Sequence, residues 1–194
     1  MGQYWKPVIQ GKEQETAVGI ENYLDGGYVM AKLTEQAWFD NDFVNAVVQI
    51  IFKNPSKVAW IGDYGDDMEG EEFFKNVPVM EIYNAAWNDN VPTIESLKSS
   101  DFTLDNLFLI NHDTKEFIDC NKYKAENEGK WGVTHPVPLL TAIGNGLGGG
   151  DFEYHVSDKQ QVRNVGIWAW NTLELSDVAP TDYKEVMYHF IEDV

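Results

Sequence analysis

The chain has 194 residues, 43% of them hydrophobic and 13% aromatic, and its 32 carboxylates outweigh 14 basic side chains for a formal charge of −18. Thirteen of those bases are lysine, which leaves Arg163 as the single guanidinium. Such a charge repels phosphate backbones and anionic membranes and attracts cationic surfaces, so it argues against direct nucleic-acid or membrane binding and for a positively charged protein partner.

Acidity does not imply disorder here, because 7 Trp, 9 Tyr and 10 Phe are spread through the sequence and give a core enough to bury. Cys120 is the only cysteine, so an internal disulfide and a Cys-based zinc cage are excluded and a reducing cytoplasm is expected. The start, MGQYWKPVIQGKEQE, lacks the apolar stretch of an export signal, and no apolar run is long enough to span a bilayer. Neither Lys6 nor Pro7 is the Ser or Thr that a myristoylation signal favours after Gly2.

In chain order, Tyr28 to Leu33 follows the Asp25-Gly26-Gly27 turn signal and is predicted as a strand, with a new segment from Thr34. Apolar residues at 43, 44, 47, 48, 50 and 51 have helical spacing over Asp42 to Phe52. Asp40, Asn41 or Asp42 can cap that helix, and Pro55 lies just past its end. Lys57 to Ile61 reads as a strand that stops at Gly62. Asn106 to Ile110 and Glu116 to Cys120 flank the polar tetrad 112–115, which predicts a β-hairpin with Asn111 at its shoulder. A Pro-bounded segment (HPVPLL), a glycine-dense loop, a Trp-rich strand at Val165 to Trp170 and an alternating stretch from Tyr183 to Ile191 complete the chain. On that strand Trp168 and Trp170 would share one face. With strands outnumbering helices and no repeat or linker composition, the expectation is one α+β domain over residues 1–194 on a mostly antiparallel sheet, with its clearest helix near 42–52.

The densest acidic patch is Asp63, Asp66, Asp67, Glu69, Glu71 and Glu72, interleaved with glycines at 62, 65 and 70 and no base. Such a loop has the oxygen ligands that Ca²⁺ or Mg²⁺ needs, yet its spacing misses the EF-hand pattern, so it reads as a solvated anionic surface for partner binding, with no metal. The run Gly144 to Asp151 holds five glycines in its first seven residues. A phosphate cradle would follow a strand, open a helix and supply a lysine; here the next lysine is Lys159, and the run reads as a tight connection. His112-Asp113-Thr114 and His155-Val156-Ser157 superficially match the His-x-hydroxyl pairs of two-histidine phosphoesterases, but His112 falls at a hairpin tip and the surroundings are anionic. Cys120, near a strand end, reads as a small buried hydrophobe, and His135, between Thr134 and Pro136, as a structural loop residue. His189 is expected to alternate outward on the terminal strand.

The MGQYWKPVI start, VAWIGDY at 58–64, the LINHDTKEFID hairpin and HPVPLLTAIGNGLGGGD together resemble a family of uncharacterised proteins of gut Firmicutes and their phages. The resemblance spans nearly the whole chain and implies a phage or mobile-element setting in a bacterial cytoplasm, where small acidic anti-CRISPR and other anti-defence inhibitors mimic DNA charge. It carries over no catalytic or binding residue. The leading expectation is a non-enzymatic protein, without cofactor, that docks its acidic face on a cationic surface of a host protein such as a CRISPR effector nuclease. The alternative is an enzyme or small-ligand binder with His135, Gly148, Gly149, Asp151 and His155 around the glycine loop.

Overall fold

In the computed structural model of the protein, the residues described are 4–12, 18–19, 23–24, 27–28, 32–39, 41–64, 83, 105–126, 128–129, 132–144 and 164–188. They form, in chain order, β1 (Trp5–Gly11), β2 (Val18–Gly19), β3 (Tyr23–Leu24), β4 (Gly27–Tyr28), α1 (Leu33–Gln36) and α2 (Asp42–Ile50). There follow β5 (Ser56–Gly62), β6 (Phe108–Asn111), β7 (Glu116–Asp119), α3 (Cys120–Glu126), β8 (Glu128–Gly129) and β9 (Gly132–Val133). The last are α4 (Pro136–Leu140), β10 (Ala142–Ile143), β11 (Thr172–Ser176) and β12 (Lys184–Glu185).

The main sheet runs β12-β7-β6-β11-β5-β1-β2, with β10 as an eighth strand beside β5. Its centre is the antiparallel β1–β5 ladder, in register from Trp5↔Gly62 to Gly11↔Ser56. The other edge of β5 is shared: β11 pairs antiparallel with Ser56 and Lys57, and β10 pairs parallel with Trp60 and Ile61. Only the β10–β5 and β12–β7 pairings are parallel among the described strands. The α+β, mostly antiparallel architecture is therefore the one expected from the sequence.

Because strand side chains alternate, each strand serves two faces. Trp5, Ile9, Val58, Trp60, Leu109, Ile118, Leu173 and Leu175 face the larger core. Val44, Val47 and Val48 of α2 pack into it, with Tyr123 of α3 and Val137, Leu139 and Leu140 of α4. The opposite face carries Val8, Ala59, Ile61 and Ile143, met by Tyr83 and Ala169. Lys6 is buried on that face, with its ammonium 3.7 Å from the centre of the Tyr83 ring, a cation–π geometry that offsets part of the cost of removing the charge from water.

Local signals explain the element ends. Asn41 Oδ1 accepts the Val44 N–H (3.2 Å), the N-cap anticipated for α2. The helix stops where Lys53 adopts φ 52°, and Asn54 Nδ2 donates to the orphan Ile50 carbonyl. The β6–β7 hairpin pairs Phe108↔Asp119 through Asn111↔Glu116. Buried Asn111 sets its turn, accepting the Asp113 and Thr114 N–H groups on Oδ1 at 3.0 and 3.2 Å.

Three expectations are corrected. The strand over 28–33 does not reach its end, because Leu33 opens α1 and is fully buried in the main core. The signal passed over is Glu35, whose carboxylate accepts the Lys32 N–H three residues earlier. Residues 164–170 form turns, not a Trp-rich strand. Gly166 (φ 78°) and Trp170 (φ 59°) break the extended backbone, and the Gly166 and Trp168 N–H groups bond to the Leu139 and Leu140 carbonyls at the end of α4. Trp168 therefore packs in the larger core and Trp170 against the smaller one, not on a shared face. The strand lies just beyond, as the alternating T-L-E-L-S of β11. Finally, among the described residues 183–188 of the terminal alternating stretch only the two of β12 are strand, and His189 lies outside the described residues.

Candidate functional site

Of the acidic patch, Asp63 is described. It follows the last residue of β5, where its Oδ1 accepts the Tyr4 N–H and its own N–H donates to the Tyr4 carbonyl, both at 3.0 Å. Asp63 thus clasps the β1–β5 ladder at the point where the chain leaves the sheet for the acid-rich stretch. Asp66, Asp67, Glu69, Glu71 and Glu72 lie outside the described residues, as do Gly148, Gly149, Asp151 and His155.

His135 is fully buried and caps α4: its Nδ1 accepts the Val137 N–H at 3.1 Å, with Pro136 at the first helical position. A helix can begin at a proline because that N–H has no intrahelical partner anyway. Burial against the Phe39 ring, 4.7 Å away between centroids, pushes the imidazole pKa down from 6.5 to about 3, so the ring is neutral at physiological pH. With Nδ1 accepting, the proton sits on Nε2, which is buried without a hydrogen-bond partner among the described residues. His135 thus caps α4 from within the core.

Cys120 is as anticipated. Its thiol is buried in the main core, and desolvation pushes its pKa up to about 12, which removes the thiolate that nucleophilic or metal chemistry requires. Among the described residues, no group of three or more His, Cys, Asp or Glu side chains is arranged to hold a metal ion.

The polar cluster that sequence reading missed lies at the tip of the β6–β7 hairpin. His112 Nε2 meets Glu174 Oε2 at 2.8 Å, and its Nδ1 meets Tyr183 Oη at 3.0 Å. An ionised carboxylate only accepts, so Nε2–H donates to Glu174, while Nδ1 and the Tyr183 hydroxyl share the second hydrogen bond. Beside it, Asp113 Oδ2 accepts the Thr172 N–H at 2.8 Å, and the His112 N–H donates to the Thr172 carbonyl. The cluster ties the hairpin tip to β11 and to the segment entering β12. It is a carboxylate–imidazole–phenol chain whose bonds tether the hairpin tip to both neighbouring segments. Thr114, the hydroxyl of the phosphoesterase-like motif, uses its N–H on Asn111 in the turn.

The described residues form a framework with ion pairs at its surface. Within the framework Lys53 pairs with Asp177 at 2.8 Å, and Lys122 with Glu185 at 2.6 Å and Asp119 at 3.8 Å. These bonds lower the Asp177 pKa and raise that of Lys122.

Comparison with known proteins adds no identity: no family model, curated protein or solved structure matches the chain. Among the described residues no helix is long and apolar enough to cross a membrane.

Proposed function

We propose that this is a non-enzymatic binding protein whose acid-rich segments, with Asp66, Asp67, Glu69, Glu71 and Glu72 at their densest point, dock on a cationic, nucleic-acid-binding surface of a host protein such as a CRISPR effector nuclease. On this reading it acts in the bacterial cytoplasm as an inhibitor of anti-defence type, imitating the charge of DNA. The observation that carries the reading is the acid excess itself, 32 acids against 14 bases, with six of the acids between residues 63 and 72 and no base among them. An acidic run so dense in sequence gives an anionic field, and such fields set partner choice and association rate. Asp63, fastened to Tyr4 at the end of β5, anchors one end of the acid-rich stretch on the rigid sheet.

The test is capture from a bacterial host lysate on immobilised protein, beside the variant D66N/D67N/E69Q/E71Q. The expected result is retention at low salt of a basic nucleic-acid enzyme that elutes as salt rises and is not held by the variant. Retention indifferent to both salt and neutralisation overturns the electrostatic reading.

A further inference from the structure

The strand ends at one side of the main sheet leave a cleft of about 300 Å³. The register forms it: Gly11 lies opposite Ser56, Gln10 opposite Lys57, and Lys57 in turn opposite Thr172. The last residues of β1 and the first of β5 and β11 therefore converge where the sheet stops. Lys12 and Lys57 line the cleft together with Gln10 and the hydroxyl residues Ser56 and Thr172, and none of the described lining residues is a carboxylate. In a chain with 32 acids and 14 bases, that is the reverse of the overall composition.

We propose that this cleft is a binding site for a phosphate group, a function that goes beyond the docking reading and does not depend on it. Neither Lys12 nor Lys57 forms an ion pair with a carboxylate among the described residues, unlike Lys53 and Lys122. Lys57 is instead positioned by an aromatic ring, its ammonium 5.9 Å from the centre of the Trp170 ring, an interaction that orients the cation without neutralising it. Asp113 Oδ2 accepts the N–H of the cleft residue Thr172 at 2.8 Å, so one carboxylate stands against the two ammonium groups there.

Ammonium groups only donate hydrogen bonds, so the matching ligand is rich in acceptors. Two cations favour a group with close to two negative charges, which a phosphate monoester supplies near neutral pH. At about 300 Å³ the cleft stands at the low end of the roughly 300–1,000 Å³ typical of small-molecule sites, room for a phosphate and a small attached group.

The experiment is an amide-resolved NMR titration of the full chain with inorganic phosphate, and separately with ribose 5-phosphate, against sodium chloride at matched ionic strength. Perturbation centred on Gly11, Lys12, Ser56, Lys57 and Thr172, weakened roughly tenfold in K12Q/K57Q and unchanged in K53Q, supports the site. Tighter binding of the sugar phosphate assigns the cleft to phosphorylated metabolites; equal binding assigns it to free phosphate. Perturbation elsewhere, an equal response in K12Q/K57Q, or no response beyond the chloride control overturns it. Both lysines are at the surface of the cleft, and an unchanged amide spectrum away from it verifies that the variant is folded.

Discussion

His135 is a buried titratable group whose linkage to folding is read directly from its surroundings. Its pKa in the folded chain is about 3, against 6.5 for the free side chain, with desolvation as the cause. Below pH 6.5 the unfolded chain therefore takes up a proton that the folded chain refuses. This contribution to stability is complete above the unfolded pKa and is lost as pH falls toward the folded one. At about pH 5 the loss from this single group amounts to roughly 2 kcal/mol, using about 1.4 kcal/mol per pKa unit. His135→Asn keeps an acceptor for the Val137 N–H but does not titrate. Urea unfolding of both proteins at about pH 7.5 and about pH 5 isolates the effect, since the carboxylates and other histidines cancel in the difference. The variant is expected to gain on the wild type by about 2 kcal/mol on acidification. Parallel pH profiles would refute the claim that the ring is held neutral by burial.

Other substitutions probe the framework. Gly166→Ala places a methyl 2.6 Å from the Ala142 carbonyl oxygen at φ 78°, and the expected cost is about 1–3 kcal/mol in urea unfolding. Asn111→Ala removes the acceptor of two turn N–H groups and is expected to cost about 1–3 kcal/mol, with hydrogen exchange accelerated first in the β6–β7 hairpin. Native Cys120, buried with its pKa near 12, is expected to resist a thiol reagent until denaturant is added; rapid labelling of the folded chain contradicts its placement. Tyr183→Phe, which cuts the His112 contact, is expected to loosen the segment around β12, read as lost protection at Lys184 and Val186, whose N–H groups bond to Lys115 and Phe117.

What the sequence disclosed follows from the range of the interactions involved. Helix α2, strand β5 and the β6–β7 hairpin are written in local code: helical spacing with Asn41 as cap, a β run ended by Gly62, and two arms around a polar turn set by Asn111. α4 is hidden by its two prolines, which look like breakers but are tolerated in a first turn whose N–H groups need no helical partner. The run Val165 to Trp170 looks like a strand because it is apolar, yet its turns follow from the left-handed backbone at Gly166 and Trp170 and from bonds to α4. Glu174 and Tyr183, which hold His112 across 62 and 71 residues of chain, have no local signature at all. The candidate sites were legible only as composition: the acid excess is plain in the letters, whereas the meeting of Lys12 with Lys57 depends on the β1–β5 register.

Electrostatic docking is tested most directly by displacement. A fluorescent target duplex bound to a guide-loaded CRISPR effector nuclease reports on the positively charged channel that holds nucleic acid. Over a panel of such effectors, the chain is expected to displace the duplex from at least one at low salt, with potency falling roughly tenfold or more as salt is raised and lost in D66N/D67N/E69Q/E71Q. Absence of displacement from every member at low salt, or displacement of equal potency by the neutralised variant, would contradict it.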